Sequence, residues 1–392
     1  MDEKEYLQTL GEQIVNPHAR ASILAEIQDH IEEQAQDYRA SGMSEAVAMQ
    51  EAVRQMGDPV STGEALNQVH RPKFPIALFG LAVVLTVLGI AMQYLVYTHL
   101  TPDTAILSDT YLQRTILYNA IGLGLLLLCI FGNYMYLAKG AWILLAIFLL
   151  GLLPPWFFGF YGRQYTLCYY LALVYPLVYA LLLYRLRDKG AKAIWFLHGL
   201  TLLFLVRMLF GTIITWSTVL AAGCLTLLLL CLAIHRGILT GSSKRTLWLL
   251  TVLPYVAAAA CFVILFFQNS YMRDRLTEFL KGSNYVQQML ALEQQQMLAF
   301  GGGTISSYVD TESLASTYVL HSIFLWFGIV SGILVIVALA VLVLRSLHYA
   351  LHQSNRLALL AGTAASGILL FELLHFVLTN LGCSPVYTAS VP

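Results

Sequence analysis

A glutamate and a histidine, Glu372 and His375, stand three residues apart in one apolar run of the chain, and Arg207 stands alone in another. A separation of three puts both side chains on one helix face, and ionisable groups in hydrocarbon are expensive enough to be functional by default. The three could line a pocket or route for a polar substrate. The plainer alternative is an internal packing bridge, with Arg207 snorkelling to a headgroup. A second candidate lies in VDTESLASTYVLHSIFLWFG, residues 309–328, where Asp310 and Glu312 precede an aromatic, apolar helix. A carboxylate fixed near such a junction could serve as a general base. With no acid at the junction itself, the stretch equally reads as the place where a helix enters a membrane. His348 and His352, at i and i+4, make half a metal site with no third ligand nearby. Cys129, Cys168, Cys224, Cys231 and Cys261 lie in or beside apolar runs without C-x-x-C spacing and read as packing residues. No cofactor is expected, apart from a divalent cation if the chain is catalytic.

The elements that must hold these residues follow from composition. With 58% hydrophobic and 11% charged residues and a mean hydropathy of +0.70, the chain is too apolar to cover itself with polar surface in water. It reads as an all-α, polytopic membrane protein whose first solvent is different. Residues 1–73 hold 13 acids and 6 bases, against 9 acids and 16 bases in the remainder. The charged start, MDEKEYLQTLGEQ, lacks the apolar core of a signal peptide.

Within that prefix, apolar residues recur at helical spacing: Leu7, Leu10, Ile14; Leu24, Ile27, Ile31; Ala46, Met49, Val53, Met56. They predict three amphipathic helices and a short fourth carrying Leu66 and Val69. Asn16-Pro17, Ser44 and MGDP mark the boundaries. The expected product is a small cytosolic helical bundle over residues 1–72.

From residue 73 on, runs of about 20 apolar residues begin near Phe74, Thr115, Ala141, Tyr165, Ala193, Ile214, Leu247, Tyr318 and Leu357, which predicts about nine spans. With the prefix inside, the inner loops carry twelve bases and one acid, Asp188, as the positive-inside rule requires, and the C-terminus falls outside. A long outer loop covers residues 269–317. Its middle, YVQQMLALEQQQMLAF, has the mixed apolar and glutamine character of an interfacial helix, and GGGTISS reads as a flexible corner in preference to a phosphate cradle, for which a triple glycine is a weak signal.

Two resemblances add to this. SGMSEAVAMQEAVRQMGDPVSTGEALNQVHRPK resembles the permease prefix domain of bacterial multi-pass proteins, which implies a regulatory or protein-binding cytosolic module with a partner of its own. Residues 74–392 resemble the SEDS family (shape, elongation, division and sporulation), whose members polymerise peptidoglycan glycan strands from a lipid-linked disaccharide. YGRQYT, VYPLVYALLLYRLRDKG, NSYMRDRLTEFL, the glutamine-rich segment ending AFGGG, and NLGCSPVYTASVP match the family's motifs in order.

The resemblance implies a bacterial cytoplasmic membrane location and three partners: a lipid-linked precursor, a class B penicillin-binding protein and the bilayer, without nucleic acid. It places Arg163 and Arg207 on the diphosphate, and Gln296, Glu372 and His375 at the substrate. Aligned on Gly328, the family's essential aspartate falls on Thr317, and its fourth-span glutamate and lysine fall on Val178 and Leu181. Asp310 and Glu312 are then the remaining candidates for the base. The chain stops at Pro392, ahead of the family's F-I-S-Y-G-G segment and tenth span, which would make it a fragment. Three functions stay open: an active glycosyltransferase, a degenerate member that binds precursor or partner without catalysis, and a transporter.

Overall fold

A computed structural model describes residues 2–15, 17–70, 76–100, 109–132, 135–153, 164–209, 216–283, 285–302 and 317–383. The chain divides into two compact units, Met1–Ile76 and Ala77–Pro392. Both are helical, with no strand among the described residues.

In the first unit, α1 (Glu3–Gln13) starts on Asp2, whose carboxylate accepts the Glu5 N–H at 2.7 Å. Helices α2 (Pro17–Ala40), α3 (Glu45–Gln55) and α4 (Pro59–His70) follow. Gly57 turns at φ 79°, and Asp58 caps α4 by accepting the Ser61 N–H at 2.9 Å, as MGDP predicts. Ser44 holds the cap position of α3 without a side-chain bond, and Asn16 lies outside the described residues.

The periodic residues converge. Leu10, Ile14, Ile31 and Val53 are buried with Tyr6, Ile23, Ala35 and Ala52, and Leu7, Leu24, Ile27, Met49, Met56 and Leu66 pack around them. Ala46 is a correction: it is exposed while Ala48 and Ala52 are buried. The buried stripe of α3 is centred about a quarter turn away from it. Gly63 allows α4 to lie against α1, since a Cβ there would meet Gln13 Cβ at 2.8 Å and the Leu10 carbonyl at 2.9 Å. The Tyr6 hydroxyl donates to the Met56 carbonyl at 3.1 Å, closing the bundle.

Residues 1–72 expressed alone are therefore expected to give a soluble helical domain that melts cooperatively. The bond from the Ser61 backbone holds Asp58 below the usual carboxylate range. A lowered native pKa adds stability that is present above the unfolded value, about 3.9, and is lost as pH falls through the native one. Asp58→Ala should lower Tm at pH 7, and the gap from wild type should close on acidification below about pH 4. A disordered circular dichroism spectrum would sink the first expectation, and a gap that widens in acid the second.

Among the described residues the second unit holds seven helices long and apolar enough to cross a membrane. They lie in α5 (Ile76–Leu100), α6 (Asp109–Phe131), α10 (Ala191–Leu209), α11 (Trp216–His235), α12 (Lys244–Gln268), α16 (Ile329–Leu351) and α17 (Arg356–Asn380). Three expected spans differ. Behind a short α7 (Met135–Lys139), α8 (Ala141–Gly151) has 11 residues. It rises roughly 16 Å, half a bilayer core, and Pro154-Pro155 follows closely in the sequence. The apolar part of α9 (Gln164–Arg185) is also short, Tyr169–Arg185. The run expected from Tyr318 breaks at Gly328 into α15 (Val319–Phe327) and α16. Between α12 and α15 lie α13 (Ser270–Leu280) and α14 (Tyr285–Gln294), the latter in the glutamine-rich segment expected to be helical.

Helix α9 runs through the main apolar core, packed by α8, α11 and α17. Tyr175 stacks on both Phe148 at 5.5 Å and Phe204 at 4.3 Å, whose own rings are 6.3 Å apart. The Thr201 hydroxyl donates to the Leu197 carbonyl, so the Tyr175 hydroxyl, 2.6 Å away, donates to Thr201. Val178 and Leu181 are buried in the same core.

Candidate functional site

One cluster of buried polar groups in the second unit lies where α14, α15 and α17 meet. Glu293, on the last turn of α14, places Oε2 2.9 Å from Nε2 of His321 on α15, and both side chains have 0% exposure. Tyr318, at the start of α15, makes no side-chain cap. The cap comes from another helix instead: the His321 N–H donates to Asn380 Oδ1 at 2.9 Å, while Asn380 Nδ2 donates to the carbonyls of Thr317 at 3.1 Å and Phe376 at 2.8 Å. Asn380 is the last residue of α17, whose end turns through Gly382 at φ 70°, with the Cys383 N–H bonded to the Leu378 carbonyl at 2.8 Å. Gln294 Nε2 donates to the Leu381 carbonyl at 3.2 Å, fixing α14 over this end.

The break between α15 and α16 is filled by the chain itself. The N–H groups of Ile329 and Val330, at the start of α16, donate to the carbonyls of Leu298 at 2.9 Å and Ala299 at 3.2 Å. The Trp326 carbonyl accepts the Gly302 N–H at 3.3 Å. A broken membrane helix can offer free N–H groups to an anion, but here the first two are occupied by backbone. GGGTISS thus begins as a fitted plug: Gly301 and Gly302, at φ 59° and 95°, lie against Trp326 and Leu298.

The residues singled out from sequence fall as follows. Arg163, Asp310 and Glu312 lie outside the described residues. Thr317 enters the junction through its backbone carbonyl. Arg207 Nε donates at 2.8 Å to the carbonyl of Leu152, the residue that ends α8, so its charge sits at a helix C-terminus. Gln296 is exposed in the turn after α14. Glu372 accepts a 2.6 Å bond from the Tyr169 hydroxyl of α9 through one carboxylate oxygen, and its other oxygen is buried without a hydrogen-bond partner among the described residues. His375 is buried, its ring 5.7 Å from that of Phe371. Glu372 and His375 share a helix, but the acid's partner is Tyr169. Replacing Glu372 with Leu would leave the Tyr169 hydroxyl unmatched, at about 1 to 3 kcal/mol, whereas Glu372→Gln retains an acceptor and should cost less. Thermal unfolding in detergent gives the order, and equal losses would refute it.

Glu293, His321, Asn380 and Tyr169 were not singled out. His321 was open to detection as a lone ionisable residue in the apolar run VLHSIFLWF. Glu293 and Asn380 carried no local signal, because each matters only through a residue 28 or 59 positions away. Among the described residues no group of three or more His, Cys, Asp or Glu side chains gathers as a metal would need. His348 and His352 do come together, with ring centroids 4.1 Å apart, but His352 Nδ1 is turned to the His348 carbonyl at 2.8 Å.

The first unit supplies the remaining finding. Residues 5–61 match the HAAS family. The match runs from α1 into the first turn of α4 and stops short of the membrane unit. No curated protein and no solved structure matches the chain. The HAAS segment lies within the prefix that the sequence marked off as a separate bundle.

Proposed function

We propose that the protein is a SEDS-like membrane protein of peptidoglycan assembly that binds a lipid-linked precursor or a class B penicillin-binding protein without polymerising glycan. In this reading it resides in the bacterial cytoplasmic membrane, with the HAAS unit in the cytosol available to a partner and the C-terminal end outside. The supporting observation is the junction at Thr317. Glycosyl transfer needs a base within reach of the attacking hydroxyl. The described acid at this junction, Glu293, is enclosed against His321, and Thr317 offers a carbonyl that Asn380 already occupies. Val178 and Leu181, where the family carries charge, fill an apolar core.

The protein purified with its cognate penicillin-binding protein should show little or no polymerisation of lipid-linked disaccharide. Thr317→Asp should not restore it, since groups that act as a unit are not recovered singly. Robust turnover by the wild type would overturn the reading and turn attention to Asp310 and Glu312, with alanine at one of them abolishing the rate. A second reading, a transporter, is favoured by Glu372, whose unpartnered buried oxygen lies inside a span-length helix. Substrate flux in proteoliposomes that Glu372→Gln abolishes would select it.

A further inference from the structure

Three helix connections at one end of the membrane unit are tied into a single basic platform. The 3-10 turn Arg187–Lys189 follows α9, and the α11–α12 connection meets it: the Thr240 N–H donates to the Arg187 carbonyl at 2.9 Å and the Ala191 N–H to Ser242 Oγ at 3.0 Å. Gly190, at φ 51°, sits where a Cβ would come within 2.6 Å of Ser242 Oγ and 2.8 Å of the Thr240 carbonyl, so the two connections fit too closely for any other residue. Arg236 Nη2 donates to the Leu351 carbonyl at 3.2 Å and brings in the α16–α17 connection.

Arg185, Lys189, Lys192, Lys244, Arg245 and Arg356 are exposed at these helix ends and make no ion pair among the described residues. Asp188, the one acid of the three connections, is engaged by the Thr240 hydroxyl at 3.3 Å and by Arg187 at 3.8 Å.

The depth of the platform is marked independently. Trp142, Trp195 and Trp248 are 44%, 61% and 37% exposed. Trp195 and Trp248 follow Lys192 and Lys244 on α10 and α12 by three or four residues, about one helical turn, and the Trp142 ring lies 5.8 Å from that of Phe196, next to Trp195. Exposed indoles favour the level of lipid headgroups, so the bases one turn beyond them lie at the level of lipid phosphates. We propose that this end of the membrane unit binds anionic phospholipid, with headgroup phosphates seated among these lysines and arginines. Basic side chains at helix ends just beyond the hydrocarbon attract anionic headgroups, and the bonds between connections fix the backbone positions from which they reach.

The tryptophans also supply the probe. The full chain, reconstituted in phosphatidylcholine vesicles with brominated phosphatidylglycerol and then with the labels exchanged, reports relative affinity through quenching. Wild type should prefer phosphatidylglycerol by about tenfold or more, since each charge near an anionic surface is worth about fivefold. The variant Lys189→Gln, Lys192→Gln, Lys244→Gln, Arg245→Gln should fall to near parity with an unchanged melting temperature, because all four side chains are exposed. Arg273→Gln with Lys281→Gln, on α13 and just after it, should keep the wild-type preference. Equal quenching by both lipids in the wild type, or an undiminished preference in the fourfold variant, would overturn the proposal. Displacement by inorganic phosphate at matched ionic strength would assign the platform to the free ion and also overturn it.

Discussion

Gly328→Ala is expected to unfold the junction between α15 and α16. At φ 89° and ψ 167° the residue occupies backbone space that is essentially closed to side chains. A Cβ would also meet the Ala299 carbonyl oxygen at 2.5 Å, Phe300 Cα at 2.6 Å and the Gly301 nitrogen at 2.7 Å. All three are backbone atoms, which do not swing aside as a side-chain tip does. Strain of about 1 to 3 kcal/mol is joined by overpacking of about 1 to 3 kcal/mol. If the plug is expelled, the N–H groups of Ile329 and Val330 lose their acceptors as well. Hydrogen exchange should therefore rise at residues 298–302 and 329–330 together, with a marked fall in melting temperature. Gly199→Ala, where the new Cβ meets nothing within 4 Å among the described residues outside its own helical turn, is the control and should be neutral or slightly stabilising. A Gly328→Ala protein as stable as the wild type would show that the chain does not pass through this break.

The second large effect concerns the enclosed pair. Removing His321 takes away the group 2.9 Å from Glu293 Oε2 in a site with no exposure to solvent, and losing one partner of a buried hydrogen-bonded pair costs about 1 to 3 kcal/mol. His321→Leu should thus destabilise the protein strongly. Replacing both partners, Glu293→Leu with His321→Leu, should recover most of the loss, since an apolar pair of similar volume suits a dry site. The expected signature is a coupling energy above about 1 kcal/mol in a double-mutant cycle, read from unfolding in detergent. Additive losses would mean that the two side chains act independently. The same cycle bears on the proposed function, because a pair whose apolar replacement folds normally can be tested for binding without altering the rest of the junction.

Much of the architecture was legible because it depends on local pattern. The 3.6-residue spacing of Leu10, Ile14, Ile31 and Val53 marks one face of each helix whatever packs against it. MGDP announces its own turn because glycine and a capping aspartate act within four residues. Membrane helices are likewise legible one at a time, since hydrocarbon selects for composition over a fixed length.

Hydropathy counts apolar residues without registering backbone geometry, so VLHSIFLWFGIVSGILV reads as one continuous span although Gly328 turns out of the helix in its middle. That break depends on Leu298 and Ala299 arriving to take the N–H groups of α16, a contact across 31 positions of sequence. Pairing was equally hidden. Composition and spacing established that Glu372, His375 and Arg207 needed partners, because charge in hydrocarbon is costly wherever it sits. Tertiary structure alone decided that Glu372 meets Tyr169 across 203 positions, that Arg207 meets the end of α8, and that Glu293 and His321 enclose each other. The physical reason is reach: propensity, capping and hydrophobic period act within a turn or two of the chain, whereas a buried polar group is satisfied by whichever donor or acceptor the packed helices bring to within about 3 Å.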